Sequence, residues 1–231
     1  MNNSFKSIRQ KIISFVAPDH SVPVTRWTAD SLWDLSWLRV LLLTVGITLL
    51  GIGGSFTVQS DLGTAPWQVL AQGISIQTGL PLGISFFLVS LTVFLMWIPL
   101  YLKPGYGTVA NTIFFAIGLQ IGVDYIPEPA NTFVAYLLLL FGIFITGAGG
   151  ALYITCGLGT GPRDGIMLAF FGRSRLPITV VRALIEIVVL TVGYLLGGDV
   201  GIGTVIIALL IGRSFSFWFN VYGKFPPKTK H

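Results

Sequence analysis

The residues best suited to chemistry are five charged side chains of the second half, which lie within or beside long apolar stretches: Arg163, Asp164, Arg182, Glu186 and Arg213. Arg182 and Glu186 are four residues apart, so on a helix they are neighbours that can form an ion pair. A charge at the centre of a bilayer costs roughly 2.5–3.5 kcal/mol, so such groups rarely face lipid. One interpretation is a site where an arginine meets an anionic group and Glu186 or Asp164 carries a coupling proton. The alternatives are an internal ion pair that locks one helix to its neighbours, and an exposed cytoplasmic pair at Arg163 and Asp164.

Two copies of a Leu-Gly-Thr-x-Pro motif supply the other candidate residues. The motif predicts helix starts with Thr64 and Thr160 as N-caps and a proline in each first turn. A helix start presents free N–H groups and a positive dipole end, which favour an anion. The predicted substrate-binding residues are Gly63, Thr64, Trp67, Gly159, Thr160, Arg163, Asp164, Arg182, Glu186 and Arg213. Tight helix packing is the alternative explanation for the glycine-rich stretches 51–54 and 147–150 that precede the motifs.

Several other chemistries are excluded by residue usage. Cys156 is the single cysteine, so an internal disulfide or a multi-cysteine metal site is ruled out. His20 and His231 lie outside the apolar stretches, so histidine catalysis within a membrane has no candidate. The sequence therefore predicts no catalytic residue, no metal, no cofactor and no enzymatic activity. The net charge of +5 comes mostly from lysines and arginines at the edges of apolar runs, so we expect a lipid bilayer and not nucleic acid as the partner.

The elements that position these residues are membrane helices. The chain is 53% hydrophobic and 10% charged, far below the roughly 25% charged residues of soluble domains. Apolar runs long enough to cross a bilayer are predicted at 38–59, 82–102, 109–126, 132–155, 178–196 and 205–221. Between the first and second runs, and between the fourth and fifth, lies a short polar segment that begins with the Leu-Gly-Thr-x-Pro motif. Each segment is predicted to be a short helix that is either re-entrant or interfacial.

The two halves are an internal repeat with an offset of 96 residues. Four pairs of matching residues are separated by this same offset: Gly51 and Gly147, Leu62 and Leu158, Leu80 and Leu176, and Gly105 and Gly201. The charged candidates are where the copies differ: at this offset Trp67 corresponds to Arg163, Gln68 to Asp164, Phe86 to Arg182, Ser90 to Glu186 and Ile117 to Arg213. The predicted fold is an all-α membrane protein of six transmembrane helices, built as two inverted-topology three-helix repeats.

Charge placement gives an independent prediction of orientation. With a cytoplasmic N-terminus, the inner segments carry Lys6, Arg9, Lys11, Arg26, Arg39, Lys103, Arg163, Arg173, Arg175, Lys224, Lys228 and Lys230. The outer segments carry Asp61, Asp124, Glu128 and Asp199 and no lysine or arginine. An arrangement of eight spans in parallel repeats is disfavoured, because it places Lys103 outside. The chain is thus predicted to be a multi-pass protein of the bacterial cytoplasmic (inner) membrane with both termini in the cytoplasm.

Four segments follow from this organisation. Residues 1–37 are predicted to be a cytoplasmic interfacial segment, with a basic amphipathic helix near residues 5–15 and an interfacial belt formed by Trp27, Trp33 and Trp37. Residues 38–127 and 128–222 are the two membrane repeats, and 223–231 form a basic cytoplasmic tail. The N-terminal segment either anchors the chain to the membrane surface or binds a partner.

The pattern LGTAPWQVL and its counterpart LGTGPRDGIM, each after a glycine-rich span, resembles the YczE/YyaS/YitT-like bacterial integral membrane proteins. The resemblance runs from about residue 38 to residue 221. It implies a small multi-spanning inner-membrane protein and assigns no molecular activity.

Two classes of function remain. The first is a small secondary transporter or channel for an anionic or zwitterionic metabolite, with its site at the two Leu-Gly-Thr-x-Pro helix starts. The second is a non-transporting accessory protein that supports a partner enzyme through its basic N-terminal segment. A homodimer is compatible with either class, with the glycine-rich stretches as its interface.

Overall fold

The computed structural model describes residues 22–174 and 176–227. Within these residues the chain is all-helical: α1 is Trp37–Gln59, α2 Pro66–Thr78, α3 Leu82–Leu95, α4 Tyr106–Tyr125, α5 Thr132–Thr155, α6 Pro162–Arg173, α7 Ile178–Leu195 and α8 Ile202–Tyr222. The predicted amphipathic helix at 5–15 and both histidines lie outside the described residues, as do Lys6, Arg9, Lys11, Arg175, Lys228 and Lys230.

Five helices of the described chain are long and apolar enough to cross a membrane, namely α1, α4, α5, α7 and α8. Helices α2 and α3 are separated by a bend of 117° and add a sixth crossing if they form one broken span. The predicted second span, 82–102, is too long, because the helix ends at Leu95. Pro99 lacks an N–H group and disfavours helix at the preceding residue, and Tyr101 adopts a positive φ of 55°. Helices α4 and α8 begin at Tyr106 and Ile202, earlier than the predicted residues 109 and 205.

The core is the packing of α1 against α4 and α5. Its glycines permit close approach of the backbones: a Cβ at Gly51 would overlap the carbonyl oxygen of Phe115 on α4, and one at Gly149 would overlap the backbone nitrogen of Leu50. The glycine-rich stretches 51–54 and 147–150 are therefore occupied by contacts within one chain, as the packing interpretation expects.

Helix starts recur at the offset of the sequence repeat. Pro66 and Pro162 begin α2 and α6, Leu82 and Ile178 begin α3 and α7, and Tyr106 and Ile202 begin α4 and α8. Both breaks before the proline-initiated helices contain a glycine with positive φ, 91° at Gly63 and 117° at Gly159, a conformation that side chains with a Cβ rarely adopt.

Contacts between the halves are reciprocal at the same offset. The Gly107 N–H donates to the Leu158 carbonyl at 2.8 Å, and the Gly203 N–H donates to the Leu62 carbonyl at 2.6 Å. Two side-chain hydrogen bonds correspond in the same way. The Gln77 side chain donates to the Leu196 carbonyl at 3.0 Å, and the side chain of its counterpart Arg173 donates to the carbonyl of Leu100, the counterpart of Leu196, at 3.0 Å. Each half thus uses its break to hold the start of the other half's last helix.

These contacts gather the loops into two clusters of opposite charge. In one cluster, backbone bonds join Arg26 to Phe225, Ala29 to Cys156, and Tyr106 to Leu32. The basic residues Arg26, Arg39, Lys103, Arg163, Arg173 and Lys224 belong to the segments joined there, together with the acidic residues Asp30, Asp34 and Asp164, so this cluster is positive in net charge. In the other cluster, Gln59 bonds to the Ile126 carbonyl and Asp199 to Gln72. The acidic residues Asp61, Asp124, Glu128 and Asp199 lie in the segments of that second cluster.

The segment before α1 contains one departure from the predicted aromatic belt. Trp33 and Trp37 are 56% and 81% exposed, but Trp27 is only 6% exposed. The Trp27 indole N–H donates to the Thr155 hydroxyl at 3.1 Å, at the end of α5. The interfacial prediction is therefore wrong for Trp27, because its N–H finds a buried partner next to the second break.

Candidate functional site

A narrow cleft lies where the first turn of α2 meets the first turn of α6, beside α3 and α4. Its lining is Trp67, Phe86, Ser90, Val93, Asn111, Pro162 and Arg163. Trp67 and Arg163 occupy corresponding positions of the two repeats, so the structure brings together one predicted site residue from each motif. The open space accommodates about one water molecule.

A buried polar network holds the first turn of α2. Thr64 is 1% exposed, and its hydroxyl donates to the Gln68 Oε1 at 2.7 Å and lies 2.8 Å from the Thr57 hydroxyl. The Gln68 Oε1 also accepts from the Ala65 N–H at 3.3 Å. The predicted N-cap is wrong by one residue: Ala65 is the N-cap, since Pro66 occupies the first helical position. Thr64 acts through Gln68 and not by capping the helix directly.

The start of α6 is held differently. Its N-cap is Gly161, so the N-cap prediction for Thr160 is also wrong. The Gly161 N–H donates to the phenolic oxygen of Tyr153 at 2.8 Å, and Tyr153 is 3% exposed. Thr160 exposes its side chain, and its carbonyl accepts from the Thr108 hydroxyl at 2.7 Å. The indole N–H of Trp97 donates to the Pro162 carbonyl at 2.9 Å, which fixes the first turn at the cleft.

Four polar groups that line the cleft have no hydrogen-bond partner among residues 22–174 and 176–227. They are the Trp67 indole N–H, the Ser90 hydroxyl, the Asn111 amide and the Arg163 guanidinium. Ser90 and Asn111 are 8% and 7% exposed, so both are more than nine-tenths buried. The buried side-chain atoms without a partner in the described chain are elsewhere, at the Ser85 Oγ and the Thr146 Oγ1. The four groups at the cleft, two of them on the half-buried residues Trp67 and Arg163, therefore keep contact with its open space and are available to a ligand there.

Arg163 is oriented by an aromatic ring and not by a carboxylate. Its guanidinium carbon lies 5.8 Å from the centroid of the Phe115 ring, and Phe115 stacks on Phe86 with centroids 4.3 Å apart. Cation–π attraction holds the guanidinium beside the ring while leaving its N–H donors unused. The cleft therefore offers an excess of donors, the arrangement that recognises a carboxylate or phosphate.

The remaining predicted residues lie outside the cleft lining. Arg182 Nε and Glu186 Oε1 form the predicted ion pair at 2.9 Å, but their side chains are 59% and 37% exposed on α7. The pair is thus not internal to the chain in this state. Arg213 is exposed on α8, and Asp164 is half-buried in the first turn of α6. Gly63 and Gly159 pack against the loops at Gly201 and Gly105.

Sequence reasoning missed Ser90 and Asn111 as site residues. Ser90 was noted only as the counterpart of Glu186. Asn111 gave a usable signal, because a polar amide within a predicted span is rare and commonly functional. Tyr153 was also missed, although it occupies the position in the second repeat that Thr57 occupies in the first. Within the described residues, no group of three or more His, Cys, Asp or Glu side chains is arranged to hold a metal ion.

Comparison with known proteins places the chain among membrane proteins. DUF6198, described as a family of unknown function, matches residues 37–220. An "Uncharacterized protein" of Haemophilus influenzae is 44% identical over 205 residues, which cover 89% of this chain and 94% of that protein. The "Uncharacterized membrane protein YczE" of Bacillus subtilis is 25% identical over 183 residues, 78% of this chain and 85% of YczE.

The "Uncharacterized protein YyaS" of the same organism is 26% identical over 179 residues, 76% of this chain and 89% of YyaS. No solved structure gives a significant match. These matches confirm the resemblance to YczE and YyaS that the repeated motifs predict. The chain belongs to the DUF6198 family of YczE- and YyaS-like membrane proteins.

Proposed function

We propose that this protein is a small secondary transporter or channel of the bacterial cytoplasmic membrane, and that it binds an anionic or zwitterionic metabolite in the cleft between α2 and α6. The unpaired groups of Trp67, Ser90, Asn111 and Arg163 carry the proposal. These groups make no hydrogen bond within the described chain, so a ligand that pairs with several of them gains hydrogen bonds without breaking any of the protein's own.

The reciprocal contacts support an inverted repeat. We take α1, α3 and α4 as three crossings, with α2 re-entrant before α3, and their counterparts α5, α7 and α8 as three more, with α6 re-entrant before α7. Three crossings per copy require that the second copy enters the membrane from the opposite side. Trp67 and Arg163 then lie near the axis that relates the copies, which is where transporters of this architecture commonly bind substrate.

The two charged loop clusters support an orientation. Positively charged loops remain in the cytoplasm, so the cluster with Arg26, Lys103 and Arg173 is the inner end and the cluster with Asp61 and Asp199 is the outer end. The first break then opens toward the outside and the second toward the cytoplasm. Two breaks that face opposite compartments on one site are the requirement for alternating access.

The chemistry of the cleft supports a small ligand with a carboxylate or phosphate. The Arg163 guanidinium is a planar fork of donors that matches such a group in a bidentate manner. The described cleft holds about one water molecule, so the proposal requires that α2 and α6 separate before a metabolite enters.

The accessory-protein alternative docks a partner on the basic N-terminal segment, and the basic residues Lys6, Arg9 and Lys11 of that segment lie outside the described residues. Trp27 is buried within its own chain, whereas Trp33 and Trp37 are exposed. The second function therefore stays an alternative that the deletion below tests. We propose no enzymatic activity.

The test is a binding screen with matched arginine variants. Purified protein in lipid nanodiscs is titrated with small carboxylates, amino acids and phosphate, and unfolding temperature and calorimetry report binding. Arg163→Gln removes the cleft guanidinium. Arg173→Gln is the control, because Arg173 lies on the same helix but bonds to the Leu100 carbonyl outside the cleft.

The proposal predicts a ligand whose binding is weakened at least tenfold by Arg163→Gln and unchanged by Arg173→Gln. Two results would overturn it: equal weakening by both variants, or no binding by any compound that carries a carboxylate, phosphate or zwitterionic group. Loss of a co-purifying protein when residues 1–36 are removed, with no ligand found, would support the accessory function instead.

A further inference from the structure

The two halves of the described chain differ most in the packing of α3 and α7, which are counterparts in the repeat. Helix α3 lies on α4: a Cβ at Gly83 would be 2.6 Å from the Gln120 Cβ, and Phe86 stacks on Phe115. Helix α7 packs on α2 and α6 and has no comparable interface with α8. In the 18-residue apolar stretch of each helix, only 11% is buried for α7 and for α8, against 56% for α4. The second repeat is thus open where the first is closed.

This difference decides which side chains reach the cleft. Phe86 and Ser90 line it because α3 is packed on α4, and they are 4% and 8% exposed. Their counterparts Arg182 and Glu186 are 59% and 37% exposed, on a helix that is otherwise apolar. An ion pair in that position is costly toward lipid, which favours a second arrangement in which it is covered.

The facing surfaces of α7 and α8, like those of α3 and α4, place a small residue on one helix opposite a larger residue on the other. Gly83 contacts Ala116 and Gln120, a glycine on α3 facing a longer side chain on α4. The counterparts are Thr179 on α7 with Gly212 and Ser216 on α8, so the larger residue has moved to α7. A Cβ at Gly212 would meet nothing within 4 Å. The face of α8 that would receive α7 is therefore vacant and lined by small residues.

We propose that Arg182 and Glu186 are ligand-contacting residues of a second state, in which α7 packs on α8 as α3 now packs on α4, while α3 moves away from α4. The proposal rests on the proposed transport function. Exchanging the conformations of two inverted repeats converts a site open to one side into a site open to the other. In the second state Arg182 and Glu186 take the places of Phe86 and Ser90 beside the ligand. The cleft then gains a guanidinium and a carboxylate, the two charges that recognise a zwitterion.

The test is a disulfide between Thr179→Cys and Ser216→Cys, the counterparts of Gly83 and Gln120. Both substitutions are small, and the ideal Cβ of Gly83 lies 2.6 Å from the Gln120 Cβ, so two helices packed in this way reach the roughly 3.5–4.5 Å of a disulfide when they separate by about 1 Å. The protein is oxidised in liposomes with copper phenanthroline. Reactivity of Ser90→Cys toward a water-soluble maleimide then reports whether α3 has left α4. The control pair is Gln77→Cys with Leu196→Cys, which are in contact in the described state.

We expect the Thr179–Ser216 pair to form an intramolecular disulfide and to raise the labelling of Ser90→Cys several-fold, reversibly on reduction. The control disulfide should form without that rise. The proposal is overturned if the Thr179–Ser216 pair fails to form while the control pair forms, or if it forms and Ser90→Cys stays unreactive. A disulfide between two chains also overturns it, because a second copy then covers α7. None of these results depends on Arg163, so failure here leaves the binding test of the proposed function intact.

Discussion

Replacing Asn111 by leucine should stabilise the protein while weakening ligand binding. Asn111 is 7% exposed, and its amide makes no hydrogen bond to the described residues and borders only the narrow cleft. Leucine has nearly the same shape, so the change removes an unpaired polar group and opens no large cavity. Relief of part of an unpaired amide's burial cost is worth about 1–2 kcal/mol in the free energy of unfolding. The same change removes a contact to the ligand, worth about 1 kcal/mol of binding free energy.

Gln68→Met is the matched control. Gln68 is also a buried amide on a helix, 5% exposed, but its Oε1 accepts from Thr64 and Ala65. Its replacement leaves the Thr64 hydroxyl without its acceptor, so we expect a loss of about 1–3 kcal/mol. The two variants should therefore shift stability in opposite directions.

The assay is reversible unfolding in detergent, by temperature or denaturant, with and without the ligand identified in the screen. Asn111→Leu should melt above wild type, and added ligand should raise its melting temperature less than it raises that of wild type. A destabilised Asn111→Leu protein would refute the reasoning, since its amide would then have a partner in the native state.

Other variants test the packing around the site. Thr64→Val should lower the free energy of unfolding by about 1–3 kcal/mol, because it breaks the buried hydrogen bond to Gln68. Thr160→Val, at an exposed side chain, should change it by no more than about 0.5 kcal/mol. Equal effects of the two variants in denaturant melts would contradict these roles. Gly149→Ala should cost about 1–3 kcal/mol, because its Cβ would overlap the backbone of Leu50. Gly172→Ala should be neutral within about 0.5 kcal/mol in the same melts, since nothing lies within 4 Å of its Cβ, and a comparable loss there would argue against close packing of α1 on α5.

Sequence reasoning recovered the helices because their signals are local. Proline at 66 and 162 and the apolar run at 132–155 mark helix positions whatever the tertiary structure. The N-caps of α2 and α6 were wrong because they depend on contacts: the Gln68 side chain and the Tyr153 hydroxyl accept from the N–H groups of Ala65 and Gly161, which are the N-cap residues. The C-terminal end of α3 was wrong although Pro99 gives a local signal for it.

The candidate site was recovered only in part for the same reason. Trp67 and Arg163 could be chosen from their motif, but the selection of Ser90 over its counterpart Glu186 depends on whether α3 or α7 packs inward. Both helices carry similar apolar sequences, so the periodicity of each one alone does not reveal which is packed. The burial of Trp27 is likewise set by a partner, Thr155, that is distant in sequence.

The native cysteine, Cys156, should not interfere with the labelling of single engineered cysteines. The thiol is 0% exposed, and burial raises its pKa to about 12, against a smaller opposing effect of Arg39. A raised thiol pKa keeps the group protonated and unreactive at pH 8, so the thiolate that maleimides attack is not populated. Wild-type protein should therefore give no background.

The most direct test of the inverted repeat is the labelling of Gln77→Cys and Ser174→Cys by a membrane-impermeant maleimide. Gln77 lies in the last turn of α2 and Ser174 directly follows α6, so the two are near corresponding positions of the repeats. Gln77→Cys should react in intact cells, and Ser174→Cys only after the membrane is permeabilised. Reaction of both positions from the same side would contradict the opposed arrangement of the halves and, with it, the shared cleft as a site of alternating access.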